Sequence, residues 1–184
     1  MSNIDFIHLR VRSSYSLLES SLHMEELTDL CIHNTMPAIG ISDNNNLFGA
    51  LEFSELMVKS GIQPIIGTTI NLHASLDNNA NLAQEISNSS VCLIATNEIG
   101  YSNLMRLSSL SYQKSNFITP YITFDELFQY NDGVIILTGG EKGLINKLIH
   151  ENNHTVASEH LIKLKKIFSD RLYIEIQRSN SQNE

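Results

Sequence analysis

Short apolar runs alternate with amphipathic stretches along almost the whole chain, and this alternation predicts its secondary structure. The apolar runs have the length and residue types of strands, and they are residues 4–11, 38–42, 62–72, 91–95, 134–137 and 172–176. Gly67 is expected to break the third run. Between the runs, apolar residues recur three and four positions apart, which is the spacing of one helix face.

These apolar faces predict five helices. Their core-facing residues are Leu27, Leu30 and Cys31; Leu47, Ala50, Leu51, Met57 and Val58 in a helix over 47–59; Leu104, Leu107 and Leu110; Leu144, Ile145, Leu148 and Ile149; and Leu161, Leu164 and Phe168. Met36-Pro37 ends the first helix, because proline disfavours helical backbone in the residue before it. Ser60-Gly61 ends the second, since glycine is common just after a helix.

Polar and glycine-containing segments predict the remaining boundaries. Thr123 and Glu126 have the spacing of a capping box, so a sixth, short helix should begin there. Thr138-Gly139-Gly140 is predicted to turn the fifth strand into the following helix. Residues 77–90 are rich in Asn and Ser and are predicted to form a surface loop.

Strands that alternate with helices at this spacing indicate βαβ units, and therefore an α/β fold with a parallel sheet. No linker-like segment divides the chain, so residues 1–184 are predicted to form a single domain. Only a few polar residues follow the last predicted strand, 172–176, although a strand in such a fold normally needs a covering helix. We therefore expect an incomplete domain whose exposed edge strand favours self-association.

Composition narrows the partners that this domain is expected to have. The chain carries 12 Lys and Arg against 20 Asp and Glu, a net charge of −8. Because nucleic-acid affinity depends largely on cations that neutralise phosphates, we expect no direct DNA binding. Cys31 and Cys92 lie in apolar segments and are predicted to be core residues. No secretion signal and no apolar run of membrane-spanning length is visible, so a cytoplasmic protein without membrane contact is expected.

Five short motifs follow one another in a characteristic order. They span residues 8–18, 37–49, 64–69, 97–104 and 133–140, and they include Tyr15-Ser16, Asp43 before a helix, Gly67 and Asn97-Glu98-Ile99-Gly100-Tyr101. Each motif is weak evidence alone, but five in this order are strong. Together they resemble the PHP (polymerase and histidinol phosphatase) domain at the N-terminus of bacterial DNA polymerase III alpha subunits.

The resemblance covers essentially the whole chain and implies a distorted (β/α)7 barrel of parallel strands. Such a barrel needs more residues than this chain has, so the missing strands and helix would lie beyond Glu184. The resemblance therefore implies an N-terminal fragment of a larger DNA-directed DNA polymerase, a nucleotidyltransferase. The carboxylates that carry polymerase chemistry in that family lie downstream, so the fragment itself is expected not to be an enzyme.

Active PHP domains resemble metal-dependent phosphoesterases, in which His, Asp and Glu side chains hold metal ions that activate water. At the matching positions this chain has Arg10 and Arg12 for two histidines, Glu19 for an aspartate, Asn44 for a histidine, Thr69 for a glutamate, and Ser90, Gly140 and Ser179 for a His, a Cys and a His. A guanidinium has no lone pair to offer a metal. The resemblance thus implies no metal, no other cofactor and no catalytic residue in this fragment.

Two arginines at metal-ligand positions suggest a different use of the site. We expect Arg10 and Arg12 to fill the vacated cavity and to pair with Glu19 or Asp43 in a salt-bridge network. His150 and His154 have the spacing of two zinc ligands on a helix, but Asn152-Asn153 between them indicates a helix end, so a surface position is favoured.

The resemblance implies a function in DNA replication without catalysis by this fragment. In that family the domain supports the polymerase fold and docks the separate proofreading exonuclease subunit. That subunit and the remainder of the alpha chain are therefore the expected partners. The alternative function is a residual metal-dependent phosphoesterase or 3'-5' exonuclease, which would need metal ligands that Arg10, Arg12, Asn44 and Thr69 do not provide.

Overall fold

The structure, a computed structural model, describes residues 6–73, 89–114 and 119–177. In these ranges the strands are β1 (Ala38–Asn44), β2 (Gln63–His73), β3 (Ser89–Ala95), β4 (Ile122–Thr123), β5 (Val134–Leu137) and β6 (Leu172–Tyr173). The helices are α1 (Met24–His33), α2 (Ala50–Lys59), α3 (Glu98–Tyr112), α4 (Phe124–Gln129), α5 (Leu144–His150) and α6 (His154–Phe168). Two short 3-10 helices cover Gly140–Lys142 and Ser169–Arg171.

The sheet is mixed rather than fully parallel. Its strand order is β1-β2-β3-β5-β6, and β4 pairs with the end of β2. The pairs β1–β2 and β5–β6 are parallel, as predicted, but β3 runs antiparallel to both β2 and β5. A parallel neighbour needs a long crossover such as the one through α2, whereas an antiparallel neighbour needs none. The loop predicted over 77–90 lies outside the described residues, except that Ser89 and Ser90 already belong to β3.

The predicted first strand is reduced to a segment that follows the outer edge of β1. Val11 forms a single parallel bridge with Ile41, and the Gly40 amide donates to the His8 carbonyl at 2.7 Å. A Cβ at Gly40 would lie only 2.7 Å from the Leu9 carbonyl oxygen, so glycine lets the two backbones approach. This segment brings Arg10 and Arg12 to the sheet.

Two clusters of buried side chains hold the helices against the sheet. The larger one joins β2, β3 and β5 to α3–α6, and it includes Leu93, Leu104 and Phe168. The smaller one joins β1 to α1 and α2 through residues such as Ile39 and Phe53. Burying each such side chain stabilises the fold by about 1.5–3 kcal/mol. The prediction that Cys31 and Cys92 are core residues is confirmed.

Several element boundaries differ from the sequence prediction for identifiable physical reasons. The second helix begins at Ala50 and buries Ala50, Phe53 and Met57, while the predicted core residues Leu51 and Val58 are exposed. One helix can bury only one stripe, and Leu51 and Val58 lie one position, or about 100°, beyond it. β2 continues through Gly67, where a Cβ would lie 2.6 Å from the Leu93 carbonyl oxygen.

The capping box and the other turn signals are confirmed. The Thr123 amide donates to Glu126 Oε2 at 2.8 Å, and Glu126 N donates to Thr123 Oγ1 at 3.3 Å, at the start of α4. Gly139 and Gly140 have left-handed backbone between β5 and the helical turn that follows. None of the described helices combines the length and the apolar character needed to cross a membrane.

The start of α3 is fixed to the turn before β5 by close backbone contact. The Gly100 amide donates to Asn97 Oδ1 at 2.9 Å, which caps the helix. A Cβ on Gly100 would run into the carbonyl group of Gly133, and Gly133 itself has a φ of +66°. Both glycines are therefore required for the contact between α3 and this turn.

We expect Gly100→Ala to lower the free energy of unfolding by about 1–3 kcal/mol, because α3 must shift away from Gly133. Urea unfolding followed by circular dichroism measures the change. Ser102→Ala, at an exposed position of the same helix, is the matched control and should be neutral or slightly stabilising. Equal stability of the two variants would contradict the close contact.

Candidate functional site

The residues that the resemblance matched to PHP metal ligands lie around two adjoining cavities beside the sheet. The first, of about 450 Å³, is lined by Arg10, Val11, Arg12, Glu19, Ser20, Gly139, Glu141, Lys142 and Gln177. The second, of about 410 Å³, is lined by Arg12, Glu19, Asn44, Asn45, Thr69, Asn71, Ser90, Thr119, Lys142 and Lys147. Gly140 lies next to the first cavity, where its Cα faces the Gln177 side chain. Ser179 lies outside the described residues.

Arg10 joins the two ends of the sheet through a largely buried ion pair. Its Nη1 donates to Glu175 Oε1 at 2.6 Å, and each side chain is only 12% exposed. Arg10 lies on the segment beside β1, whereas Glu175 follows β6 at the opposite end of the strand order. The Glu175 amide donates to Thr138 Oγ1 at 3.0 Å, which holds the acidic residue in place.

Glu175 is a partner that the sequence analysis missed, since it named Glu19 and Asp43 for Arg10. The available signal was the position of Glu175 within the last predicted strand, because the ends of parallel strands meet on one side of a sheet. That signal identifies a neighbourhood but not a particular pair.

Arg12 makes the more exposed ion pair of the site. Its Nη1 lies 2.7 Å from Glu19 Oε2, and Lys142 Nζ lies 3.8 Å from the same oxygen. Partial burial opposes ionisation of Glu19, but the Asn44 amide and the charges of Arg12, Lys142 and Arg10 outweigh it and lower its pKa. Glu19 is therefore a carboxylate already engaged by cations at neutral pH.

Of the two acidic partners expected for the arginines, Asp43 makes its described contacts with serines instead. Its two carboxylate oxygens accept hydrogen bonds from Ser13 N at 2.8 Å, Ser13 Oγ at 2.7 Å and Ser16 Oγ at 2.6 Å. The turn after Arg12 folds over the end of β1, so Ser13 and Ser16 lie within hydrogen-bonding distance of the Asp43 carboxylate. The carboxylate then holds this turn, and Asn44 N donates to Ser16 Oγ at 3.1 Å.

The side chains present do not fit a metal centre of the phosphoesterase kind. Across residues 6–73, 89–114 and 119–177, no three His, Cys, Asp or Glu side chains gather closely enough to hold an ion. The carboxylates of Glu175 and Glu19 form ion pairs with Arg10 and Arg12. Burial raises the pKa of Cys92 to about 11, against the smaller effect of Arg10, so this thiol stays protonated.

The histidines with zinc-like spacing do not share a helix. His150 ends α5 and His154 begins α6, as Asn152-Asn153 indicated. His160 is buried and stacks on Phe124 with ring centroids 5.1 Å apart, which is a core contact. In contrast, Lys142 and Lys147 line the second cavity and were not predicted to belong to the site.

We expect Arg10→Met to cost about 3 kcal/mol of unfolding free energy, because it leaves Glu175 charged and largely buried. Arg12→Met should cost about 1 kcal/mol or less, since its ion pair is more exposed. Urea unfolding compares the two, and a double-mutant cycle with Glu175→Gln should show strong coupling for Arg10 only. Equal costs for the two arginines would contradict this ranking.

Comparison with known proteins places this geometry in a family. A family description of the PHP domain matches residues 8–179. The chain is 40% identical over 181 residues to the DNA polymerase III subunit alpha of Rickettsia conorii, and 37% identical over 174 residues to that of Caulobacter vibrioides. These matches cover 98% and 94% of this chain, but the chain spans only about 15% of each relative.

A solved structure shares the fold at low sequence identity. It is an amidohydrolase from Chromobacterium violaceum with bound sulfate and no metal, with a TM-score of 0.51 and 11% identity over 94% of this chain and 86% of that one. The likeness supports a mixed α/β fold of the PHP and amidohydrolase kind. From the family match and the relatives together, this chain belongs to the PHP-domain family and corresponds to the PHP region of DNA polymerase III alpha subunits.

Proposed function

We propose that this chain is a non-catalytic PHP module of a replicative DNA polymerase III alpha subunit. The observation that carries the proposal is the Arg10–Glu175 ion pair, in which Arg10 occupies an expected ligand position and which connects the two ends of the sheet. A guanidinium in this position provides a cross-link but no Lewis acid and no activated water. The module would contribute rigidity to the polymerase, while DNA synthesis would reside elsewhere in a longer, cytoplasmic chain.

The rest of such a longer chain would complete the fold. Relatives in which this region makes up about 15% of the length have ample sequence for further strands and helices of a (β/α)7 barrel. In the described structure β6 has only two residues, so it offers few unpaired backbone groups to a second copy. We therefore favour coverage of this edge by the remainder of the alpha chain over self-association.

Exposed apolar side chains support the proposed docking of the proofreading exonuclease subunit. Leu17 and Leu18 project from the turn after Ser16, and Phe48 and Leu51 project from the start of α2. Tyr15 Oη donates to Glu52 Oε2 at 2.9 Å, so these two segments are neighbours. Leu18 is fully exposed and has a φ of +64°, a conformation that costs a leucine about 1–2 kcal/mol. A strained, solvent-facing leucine is more easily explained by a partner than by folding.

Metal content and hydrolysis test the absence of phosphoesterase activity. After purification, we expect far less than one Mn or Zn per chain by elemental analysis, and no hydrolysis of a phosphate monoester when either metal is added. An active PHP phosphoesterase assayed in parallel is the positive control. Stoichiometric metal together with turnover that is lost in Glu19→Gln would overturn the proposal.

Binding of the exonuclease subunit tests the docking role separately. Leu18→Asp and Phe48→Asp should each weaken binding to the immobilised exonuclease subunit at least about tenfold, because a buried unpaired carboxylate opposes an apolar interface. Ile162→Asp, on the exposed side of α6, is the matched control and should bind as the parent chain does. If all three variants bind alike, these two segments are not the docking surface. If the parent chain itself does not bind, the docking role fails.

A further inference from the structure

Helix α6 packs on the rest of the fold through an apolar stripe that a histidine interrupts. The buried residues of α6 are Ala157, His160, Leu164 and Phe168, which recur three and four positions apart. His160 is only 6% exposed, although its neighbours in the stripe are apolar. A side chain that can gain a positive charge near neutral pH therefore lies where helix periodicity would place an aliphatic residue.

The His160 ring contacts α4 by stacking. Its centroid lies 5.1 Å from that of Phe124, with an angle of 14° between the two ring planes. Phe124 is the first residue of α4, directly after the Thr123 cap, and its centroid lies 5.4 Å from that of Phe128. Both phenylalanines pack against the larger core cluster. His160 is therefore part of the contact that holds the start of α4 against α6.

Among the described residues, none accepts a hydrogen bond from the Nδ1 side of the His160 ring. This nitrogen is shielded from solvent and has no hydrogen-bond partner there. In the neutral ring Nδ1 can remain an unprotonated acceptor, whereas in the imidazolium both nitrogens carry a proton. Protonation of the folded chain would therefore bury a charge together with an unpaired N–H donor, and both are unfavourable.

The charged side chains described on the helices around His160 do not offset that cost. They are Glu159 and Lys163 on α6, Asp125 and Glu126 on α4, and Lys147, His150 and Glu151 on α5, which also packs on α6. Glu126 makes its described contacts with Lys114 at 2.7 Å and with the Thr123 amide at 2.8 Å. Burial above all, and next to it the charge of Lys163, lower the pKa of His160, whereas Glu159 acts in the opposite direction.

We propose that His160 forms an acid-sensitive contact, in which its neutral ring holds the start of α4 against α6 and its protonation releases α4. An imidazolium would gain a cation–π attraction to Phe124, but a phenyl ring is a weaker partner than an indole and leaves the Nδ1–H unpaired. The opened form binds the proton more readily, so stability is complete above the ordinary histidine pKa of about 6.5 and falls as the pH drops below it. This conformational response goes beyond the proposed scaffold role and does not require the exonuclease subunit.

Urea unfolding of the purified chain at about pH 7.5 and about pH 5.5, followed by circular dichroism, tests this contact. Over this interval the unfolding equilibrium constant of the parent chain should rise several-fold more than that of His160→Phe, which keeps a ring against Phe124 but cannot be protonated. The largest difference expected is about tenfold, or about 1.4 kcal/mol, because an unfolded histidine with a pKa of about 6.5 titrates over about one pH unit of the interval. His160→Gln is also neutral at both pH values, so it should show the same reduced pH dependence at whatever stability it has.

His154→Gln is the matched control, because His154 is an exposed histidine at the start of the same helix. It should keep most of the pH dependence of the parent chain. As a second readout, NMR of the imidazole protons should show that His160 in the folded chain titrates at lower pH than a histidine in an unfolded peptide. The proposal is overturned if both His160 variants keep the pH dependence of the parent chain, if His154→Gln loses as much of it, or if His160 titrates at or above the pH of the unfolded peptide. None of these outcomes bears on metal content or on binding of the exonuclease subunit.

Discussion

The ion pair between Arg10 and Glu175 is the contact on which the arrangement of the site depends. It connects the segment outside β1 with the residues that follow β6, so it links the first and last members of the sheet. A divalent ion can hold strand ends together through several ligands at once, whereas this pair uses one guanidinium and one carboxylate. Because both side chains are largely buried, neither can be lost without leaving the other as an uncompensated charge.

The other polar side chains around the cavities are engaged in contacts of their own. Asp43, with three serine hydrogen bonds, serves the turn after Arg12 rather than a metal. Glu19 is held by Arg12, and Lys142 and Lys147 line the same cavity as Thr69 and Ser90. The positive charge around these cavities is carried by arginine and lysine side chains.

Local sequence patterns predicted most of the elements, because helix and strand periodicity is a property of short segments. The strand over Val134–Leu137 and the capping box at Thr123 and Glu126 were predicted directly. The direction of β3 was not predicted, since an apolar run has the same sequence pattern in a parallel and in an antiparallel strand pair. For α2, the sequence has more apolar residues than one buried face can hold. Packing against the sheet determines that Phe53 is buried and Leu51 is not.

For the site, too, short motifs predicted some residues, while contacts between distant segments of the chain determined the others. The motifs singled out Arg10, Arg12, Asn44 and Thr69 as site positions, and the structure brings these residues around adjoining cavities. Glu175, Lys142 and Lys147 were not, because their roles arise from proximity between segments that no short motif contains. Charge type can be read from a sequence, but the pairing of charges requires the fold.

The distance in sequence between the two members of the ion pair has a consequence for the order of folding. Arg10 and Glu175 are 165 residues apart, so their contact closes a very long loop and gains nothing until most of the chain is available. During synthesis on the ribosome, the segment with Arg10 emerges first and must wait for Glu175. In that interval β1 is held by its parallel partner β2, by the backbone of residues 8–11 and by its packing against α1 and α2. The cross-link is therefore expected to be a late event, one that completes the fold rather than starting it.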